Sequence, residues 1–383
     1  MEKELRQLNI GLLGGGQLGR MLMQEAVNWD LRVAVLDPDE EAPCRHLTPE
    51  FAHGNYRKYD IVYNFGRGRD LITIEFEDVN SEALQDLENE GVKVYPQPRV
   101  LRIIQDKGLQ KEFYREKGIP TADFILVKNK KELAEQNRIA YPCFQKLRTS
   151  GYDGYGVKKL TSPAAVEEAF DQPSVIEELA DMDKELSVIV ARNAKGEIRY
   201  FPVVELVFNP EANMVQYLFA PAAITPEAEA EAVAIACGVI GELGMVGLLA
   251  VEMFLTKNGK ILVNEIAPRP HNSGHHSIEA NITSQYEQHL RAILNLPLGD
   301  TSTVLPAVMV NILGAKGHTG TPVYEGLDEV LKMPGVYVHL YGKTKTKPFR
   351  KMGHATVTDP DLERARQTAA KVQAILNVKA KEH

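Results

Sequence analysis

The sequence predicts an α/β protein that begins with a doubly wound parallel sheet. In the first hundred residues, apolar runs such as "NIGLLG" and "LRVAVLD" alternate with the helical stretch "QLGRMLMQEAVN". This alternation is typical of βαβ units, in which helices cover a parallel sheet. After about residue 120 the pattern changes to strands joined by hairpin turns, so a more antiparallel α+β core is expected to follow.

Each segment of this plan has a local signal. The first region adds strand candidates "DLITIEFE" and "VKVYP", separated by the helical "SEALQDLENEG", and a further helix is predicted at "DKGLQKEFYREKG", before Gly118 and Pro120. The second region contains the hairpin turns "NAKGE" and "TKNGK" and the long helix "PEAEAEAVAIACGVIGELG". The third begins near "PAVMVNILG" and ends in a charged helix. We therefore predict three domains, 1–105, 106–300 and a small C-terminal domain over 301–383.

Composition narrows the class of protein. The 383 residues are 44% apolar and 25% charged with a net charge of −8, which is typical of a soluble globular protein and argues against a nucleic-acid surface. The cysteines Cys44, Cys143 and Cys237 are too widely spaced for a disulfide framework or a zinc pattern, so a reducing compartment is expected. No apolar run reaches the ~20 residues that span a bilayer. We expect a cytoplasmic protein that binds neither nucleic acid nor membrane.

A glycine-rich turn follows the first strand. Gly14, Gly16 and Gly19 form the pattern G-x-G-x-x-G between a strand and a helix, and Asp37 ends the next strand, which is the spacing of a dinucleotide-binding site. The physical content is a close backbone approach and a helix N-terminus that attracts an anion. NAD(P), another phosphate, or a turn that binds nothing all remain open at this point.

A second glycine-rich segment, "KLRTSGYDGYGV" over 146–157, follows the apolar strand "PCFQ". A flexible loop between two strands, preceded by Lys146, suits a lid over a polyphosphate. The alternative is a mobile hairpin tip. The spacing does not fit a Walker A loop, which requires Lys-Ser/Thr directly after the last glycine.

A third motif is the hairpin "LLAVEMFLTKNGKILVNEIA", with a turn at Asn258-Gly259. A two-residue turn would pair Lys257 with Lys260 and would place Glu252 directly opposite Glu265. Two facing carboxylates are destabilising unless a cation lies between them, and all-oxygen ligands favour Mg²⁺, with Asn264 as a further candidate. The alternative is a solvated hairpin in which a lysine screens the pair.

The segment "NEIAPRPHNSGHH" ends this hairpin with many polar groups. Arg269 lies between two prolines, and we favour a phosphate or carboxylate partner for it over a solvated loop. His271, His275 and His276 lack a matching ligand set elsewhere, which argues against zinc; the last two are as suited to packing as to substrate contact.

These motifs together resemble the ATP-grasp superfamily and, within it, the 5-(carboxyamino)imidazole ribonucleotide synthetase family. The resemblance covers essentially the whole chain and rests on "GGGQLGRM", "LDPDEEAPCRHL", "IEFEDV", "SGYDGYG", "VNEIAPRPHNSGHHSIEA" and "KMGHATV". It implies an ATP-grasp fold with an N-terminal preATP-grasp, Rossmann-like parallel-sheet domain and a small C-terminal domain. The implied reaction is the carboxylation of 5-aminoimidazole ribonucleotide by ATP and bicarbonate, through carboxyphosphate, in purine (IMP) biosynthesis.

The resemblance also implies cofactors and partners. They are ATP, Mg²⁺ with Mn²⁺ as a substitute, bicarbonate, the ribonucleotide and a second subunit in a homodimer, without biotin. Alternatives are another ATP-grasp carboxylate–amine ligase, an NAD-dependent oxidoreductase built on the glycine-rich turn, and a non-catalytic nucleotide sensor.

The resemblance further implies residue roles. The hinge "EELA" would bind adenine through backbone groups, and Glu185 would accept the ribose hydroxyls. The expected magnesium ligands are Glu252 and Glu265. The implied ATP contacts are Lys107, Lys146, Gly151, Tyr152, Asp153, Gly154, Tyr155, Gly156, Val157, Glu177, Glu178, Leu179, Ala180, Glu185, Asn264 and Glu265.

The ribonucleotide is expected between the domains, with its phosphate at the glycine-rich turn. Its candidate contacts are Gly16, Gln17, Leu18, Glu75, Glu77, Tyr152, Asp153, Arg269, His271, Asn272, Arg350 and Lys351. The catalytic candidates are Lys146, Tyr152, Asp153, Arg269 and His271. The base that accepts the amine proton is open among the released phosphate, Asp153 and His271.

Three positions depart from the family pattern. Tyr155 stands where relatives carry lysine or arginine in the lid, Phe208 stands where they carry a histidine near the nucleotide, and Lys107 stands where they carry arginine. The last change keeps the charge but not the forked geometry of a guanidinium. These departures bear on the contacts and the efficiency of the enzyme more than on the reaction type.

Overall fold

The N-terminal domain forms the predicted parallel sheet. A computed structural model of the protein describes residues 4–149, 156–209 and 214–381. The first elements are β1 (Asn9–Leu13), α1 (Gln17–Asn28), β2 (Arg32–Asp37), β3 (Phe51–His53), α2 (Tyr59–Gly66), β4 (Leu71–Ile74), α3 (Ser81–Asn89), β5 (Lys93–Val94) and α4 (Pro98–Gln105). The strands are parallel and lie in the order β3-β2-β1-β4-β5. Apolar clusters on both faces, one against α1 and one against α2 and α3, hold the helices to the sheet.

Strand β4 of this domain is shorter than the sequence predicts. The predicted strand ran to Glu77, but β4 ends at Ile74. The amide of Glu75 still donates to the carbonyl of Leu13 at 2.9 Å, and the chain then leaves the sheet. The carboxylates of Glu75 and Glu77 therefore lie at the carboxyl end of the sheet, where ligands of such folds bind.

The second region opens with a helix and a small antiparallel sheet. Its elements are α5 (Lys107–Glu116), β6 (Phe124–Val127), α6 (Lys130–Glu135), β7 (Cys143–Leu147), β8 (Val157–Leu160) and β9 (Ser174–Glu178). The strands lie in the order β6-β9-β7-β8. The predicted lid is the β7–β8 connection, in which Lys146 pairs with Val157. Gly151, Tyr152, Asp153, Gly154 and Tyr155 lie outside the described residues.

A large antiparallel sheet follows. It begins with β10 (Met182–Arg192), β11 (Ile198–Tyr200), β12 (Val204–Asn209), β13 (Met214–Ala220), α7 (Pro226–Leu243), β14 (Gly247–Thr256), β15 (Ile261–Ala267), α8 (Ser277–Ala280) and α9 (Gln285–Ile293). The long predicted helix is α7, which begins at a Thr225 side-chain cap and ends at Gly244 in the left-handed region. It packs against the apolar face of the sheet and leaves the other face to the site.

The C-terminal residues extend this sheet. Their elements are β16 (Ala307–Leu313), β17 (Pro322–Glu325), α10 (Leu327–Val330), β18 (Val336–Leu340), β19 (Lys351–Thr358), α11 (Leu362–Ile375) and β20 (Asn377–Ala380). The order is β15-β14-β10-β12-β13-β16-β19-β18, so one sheet passes through the predicted boundary near residue 300. Within the described ranges, none of the helices combines the length and apolar character needed to cross a bilayer.

Candidate active site

The β14–β15 hairpin brings two carboxylates face to face. Glu252 pairs directly with Glu265, as predicted. The route to this pairing differs from the prediction, because Leu255 pairs with Ile261 and Lys257 does not pair with Lys260. The amide of Thr256 donates to the carbonyl of Lys260 at 2.9 Å. The loop thus has three residues instead of two and uses Gly259 at φ 82°.

A bulge at Asn264 restores the predicted register. The pairs Met253–Val263 and Glu252–Glu265 leave Asn264 as an extra residue of β15. Consecutive Asn264 and Glu265 are both half-buried, whereas the alternation along the rest of β15 is regular. A bulge of this kind redirects side chains next to functional sites. Asn264 and Glu265 therefore reach the same face of the sheet as Glu252.

The two facing carboxylates have different electrostatic environments. Burial, together with the neighbouring charge of Glu265, raises the pKa of Glu252. Lys107, whose ammonium lies 2.7 Å from Glu265, lowers the pKa of that second carboxylate. Glu252 also lies 3.3 Å from the Nε2 atom of His271. On balance the half-buried Glu252 carboxylate is disfavoured in its charged form, and a bound cation would favour that form.

The donor set fits magnesium better than zinc. Glu252, Glu265 and the amide oxygen of Asn264 are all hard oxygen ligands. Across the described part of the chain, no three His, Cys, Asp or Glu side chains converge in a geometry suited to a metal ion. A Mg²⁺ ion at the hairpin would therefore complete its shell with water and phosphate oxygens, which is its usual habit in phosphoryl-transfer sites.

The small sheet places lysines opposite this hairpin. The ammonium of Lys146 donates to the Oδ1 atom of Asn264 at 3.0 Å and lies 2.6 Å from Glu177. Lys111 lies 2.9 Å from the other oxygen of the same carboxylate. Burial alone would raise the pKa of Glu177, but Lys146 and Lys111 together lower it to about 2. Lys111 was not among the predicted site residues, although its position one helical turn after Lys107 on α5 is a usable signal.

The predicted hinge lies between the two sheets. A cavity of about 480 Å³ adjoins it and is lined by residues that include Glu178, Leu179, Ala180 and Leu262. The carboxylate of Glu177 is not available there, because both lysines occupy it. Glu185 on β10 lies opposite Phe254 of β14, and burial raises its pKa to about 7.

Only the base of the lid, where it joins β7 and β8, lies within the described residues. The carbonyl of Gly156 accepts the amide of Leu147 at 2.8 Å, and Gly156 has φ 78°, in the left-handed region that favours glycine. Val157 then opens β8. The predicted roles of the lid tip concern residues outside the described ranges.

The backbone amides of the glycine-rich turn in the first domain donate to carboxylates of the same chain. Glu75 accepts the amides of Gly16 and Gly19, each at 2.5 Å, and a Cβ atom at Gly14 or Gly16 would collide with its side chain. Burial raises the pKa of Glu75 to about 7. The space and the two amides are thus used by Glu75. Gln17 and Leu18 occupy the first turn of α1.

Asp37 is likewise used within the chain. It is buried, with 7% of its surface exposed, and accepts the amides of Gly15 at 2.6 Å and Asp39 at 2.8 Å. A dinucleotide site would require this carboxylate for a ribose. The bonding of Asp37 and Glu75 therefore weighs against the nicotinamide interpretation.

The segment after the hairpin connects the domains. Arg269 forms a two-pronged ion pair with Glu77, at 2.5 and 3.1 Å, so its partner within the chain is a carboxylate. The Nδ1 atom of His271 lies 2.9 Å from the hydroxyl of Ser273. Burial and the nearby Arg269 and Lys351 lower the pKa of His271 to about 3, so its ring is neutral near pH 7.

The remaining candidates divide between the site and the surface. Asn272 exchanges side-chain hydrogen bonds with Asn311 of β16. The charge of Lys351 acts on both Glu252 and His271. By contrast, the exposed guanidinium of Arg350 donates to the carbonyl of Lys345, away from the groups named so far.

The other two histidines of this segment pack in the interior. His275 lies 3.0 Å from the hydroxyl of Tyr286, and its ring is 4.7 Å from that of His354. His276 is buried with both ring nitrogens lacking a partner among the described residues. Neither belongs to a metal-binding group in the described ranges. Their packing role, one of the two readings the sequence left open, is the one the geometry supports.

Comparisons with known proteins agree with this architecture. Residues 8–105 match the ribonucleotide synthetase preATP-grasp domain, residues 112–286 match the ATP-grasp domain, and residues 307–368 match the phosphoribosylaminoimidazole carboxylase C-terminal domain. The predicted fold class is thereby confirmed.

Individual relatives extend this likeness over nearly the whole chain. The N5-carboxyaminoimidazole ribonucleotide synthase of Bacillus subtilis is 36% identical, over 91% of this chain and 90% of its own length. The structure of the N5-carboxyaminoimidazole ribonucleotide synthetase of Thermotoga maritima has a TM-score of 0.89 at 44% identity and covers 97% of this chain and 99% of that one.

A third relative was solved with ligands. The N5-carboxyaminoimidazole synthase of Aspergillus clavatus, in complex with ADP and 5-aminoimidazole ribonucleotide, has a TM-score of 0.87 at 32% identity and covers 96% of this chain and 98% of that one. By contrast, the chain spans only 63% to 67% of the length of three curated relatives named phosphoribosylaminoimidazole carboxylase.

Proposed function

The chain belongs to the N5-carboxyaminoimidazole ribonucleotide synthetase family, and we propose that it carboxylates 5-aminoimidazole ribonucleotide with ATP and bicarbonate in purine biosynthesis. The observation that carries this proposal is the pairing of Glu252 with Glu265 beside Asn264, whose side chain accepts a hydrogen bond from Lys146 of the small sheet. Facing carboxylates and lysines at the junction of two sheets suit a magnesium–triphosphate complex. The ADP and ribonucleotide bound by the Aspergillus clavatus relative are the ligand classes this site would take.

ATP would bind between the small sheet and the hairpin. Its adenine base would lie in the cavity beside Leu179 and Ala180, with the ribose hydroxyls near Glu185. Lys107 and Lys146 would neutralise the phosphates, and the lid 146–157 would cover them. Mg²⁺, or Mn²⁺ in its place, would be held by Glu252, Glu265 and Asn264 and would supply charge neutralisation of the triphosphate when bound. No biotin is needed in this proposal.

The ribonucleotide would bind at the carboxyl end of the N-terminal sheet. Glu75, held by the glycine-rich turn, and Glu77, held by Arg269, would face it from one side. His271 and Lys351 would approach from the large sheet. Because Glu75 uses the amides of Gly16 and Gly19, the amides of Gln17 and Leu18 are the ones we assign to the substrate phosphate.

The chemistry proceeds in two stages. An oxygen of bicarbonate attacks the γ-phosphorus of ATP, forming carboxyphosphate and ADP. Carboxyphosphate then releases CO₂ and phosphate inside the closed pocket, where water is excluded. The exocyclic amine of the ribonucleotide forms a bond to the carbon of CO₂ and loses a proton. Since His271 is neutral with a pKa lowered to about 3, it is a weak base, and the released phosphate is the acceptor we favour over His271 or Asp153.

The proposal is tested by measuring ADP release with ATP, bicarbonate and 5-aminoimidazole ribonucleotide, omitting each in turn. We expect ADP release at full rate only when all three are present with Mg²⁺. Stimulation of ADP release by a different amine or carboxylate, with none by the ribonucleotide, would favour another ATP-grasp ligase. The same preparation, examined by light scattering, tests the proposed homodimer.

A further inference from the structure

Lys111 is a buried charge immediately behind the proposed phosphate-binding lysine. Its side chain is 4% exposed, compared with 15% for Lys146. The carboxylate of Glu177 lies between them, 2.9 Å from Lys111 through one oxygen and 2.6 Å from Lys146 through the other. The Nζ atom of Lys111 also lies 6.0 Å from the ring centre of Phe124. Lys111 is therefore enclosed by protein and contacts the carboxylate oxygen of Glu177 that Lys146 does not contact.

The same ammonium closes a ring of hydrogen bonds. Lys111 donates to the hydroxyl of Thr121, which donates to the carbonyl of Val263 at 2.7 Å. Val263 precedes Asn264, whose side chain accepts from Lys146. The ring runs through α5, β9, β7 and β15, so it ties both sheets of the site together.

The charges explain why a lysine is required there. Glu177 is 6% exposed, and a buried carboxylate requires a counter-charge. If Lys146 were its only partner, the ion pair would consume the charge that ATP needs. With Lys111 present, two ammonium groups share one carboxylate, and one net positive charge is left. Lys146, the more exposed of the two, presents it to the hairpin.

We propose that Lys111 is a positioning residue for ATP. It neutralises Glu177 from behind, which leaves the charge of Lys146 for the phosphates and holds that ammonium against Asn264. Lys111 itself does not contact the nucleotide. The inference rests on the proposed function, because ATP is the ligand whose phosphates Lys146 would bind.

The test compares Lys111→Met, Lys111→Arg and the double variant Lys111→Met/Glu177→Gln. We expect Lys111→Met to raise the KM for ATP and the Kd for MgATP by roughly tenfold, since Glu177 then draws Lys146 into a one-to-one pair. Lys111→Arg keeps the charge and is expected to stay within about threefold of the unmodified protein. The double variant removes both buried charges and is expected to recover much of the lost affinity.

A purely structural role for Lys111 predicts different results. The double variant would then bind MgATP no better than Lys111→Met, and such a result would overturn the proposal, as would an unchanged Kd in a folded Lys111→Met protein. If Lys111→Met does not fold, the comparison of the double variant with Glu177→Gln alone decides. In that comparison the charge argument predicts similar affinities, because Lys111 has no carboxylate left to neutralise.

A matched control is available nearby. Lys117 follows the same helix and pairs with Glu242 at 2.9 Å on the surface. Lys117→Met removes a lysine–glutamate pair without approaching the site, so its Kd for MgATP should equal that of the unmodified protein. The Kd for MgATP is measured by calorimetry, which depends on nucleotide binding alone. If the protein binds MgATP but does not carboxylate the ribonucleotide, the proposed function is rejected and the test of Lys111 still stands.

Discussion

Two pairs of carboxylates, one beside the glycine-rich turn and one on the strands of the β14–β15 hairpin, differ in the groups that bind them. Asp37 and Glu75 accept backbone amides of the glycine-rich turn. Glu252 and Glu265 face each other across the hairpin, where Glu252 contacts the side chain of His271 and Glu265 contacts that of Lys107. The first pair is satisfied by the fold. The second pair combines like charges, and it is the pair to which we assign a cation.

The difference shows that two motifs that both suggest a ligand site from sequence can differ in whether the fold already satisfies them. The pattern G-x-G-x-x-G provides amides and space, and here Glu75 takes the space beside Gly14 and Gly16 and the amides of Gly16 and Gly19. The facing glutamates of the hairpin repel each other, so a positive charge must offset the free energy of bringing them together; Lys107 supplies part of it, and we assign the rest to a bound cation. The bonding of a motif within the fold, more than its spacing, decides whether it is a site for an external ligand.

The largest effect should come from Glu265→Gln. Losing one of the two carboxylates proposed to hold Mg²⁺ should lower turnover by roughly a hundredfold or more, while relief of the repulsion with Glu252 keeps the free energy of unfolding within about 1 kcal/mol. ADP release over a range of magnesium concentrations and thermal unfolding measure the two quantities. Glu325→Gln, which breaks the surface pair with Lys379, is the control. Near-normal ADP release at ordinary magnesium concentration would contradict the metal assignment.

Lys146→Met should lower turnover by roughly a hundredfold, because removing a preorganised cation from a phosphoryl-transfer site costs about this much. The other half of the surface pair, Lys379→Met, should leave ADP release unchanged. If both lysine variants behave alike, the small sheet does not contribute charge to the chemistry.

Glu75→Gln should change the pH dependence of stability. The folded-state pKa of Glu75 is raised to about 7, above its unfolded value near 4.5, so its contribution to stability is present at low pH and is lost as the pH rises from about 4.5 to 7. Relative to Glu75→Gln, the unmodified protein should therefore lose roughly 3 kcal/mol of unfolding free energy over that range. Urea unfolding at pH 5, 6 and 7.5 measures it. If the unfolding free energies of the two proteins change with pH in parallel, the Glu75 carboxylate does not titrate in this range.

The smallest expected effect is an absence of NAD(H) binding. Because Asp37 and Glu75 occupy the groups that a dinucleotide would need, titration of the unmodified protein with NADH should give no saturable change in fluorescence. A micromolar isotherm would restore the nicotinamide interpretation and remove the contrast between the two carboxylate pairs.

Local sequence signals predicted much of the secondary structure and the facing glutamates of the β14–β15 hairpin. Helix α1 covers the predicted stretch "QLGRMLMQEAVN", and Glu252 pairs with Glu265 as expected. These predictions succeeded because capping, apolar periodicity and hairpin turns act over a few residues. The turn itself was wrong by one residue, and the bulge at Asn264 compensated, because packing of the apolar faces, not the turn alone, sets strand register.

The sequence by itself determined which residue types are available: a lysine before a lid, two glutamates in a hairpin, and a glycine-rich turn before a helix. Tertiary structure alone decided their partners. Lys111 joins Lys146 through Glu177, Arg269 pairs with Glu77 from the first domain, and Glu75 takes two of the amides that spacing had assigned to a ligand. Each of these contacts joins positions far apart in the chain, so no local pattern carries them. They form only because burial leaves each charged group in need of a partner, and the fold determines which group is near enough to serve.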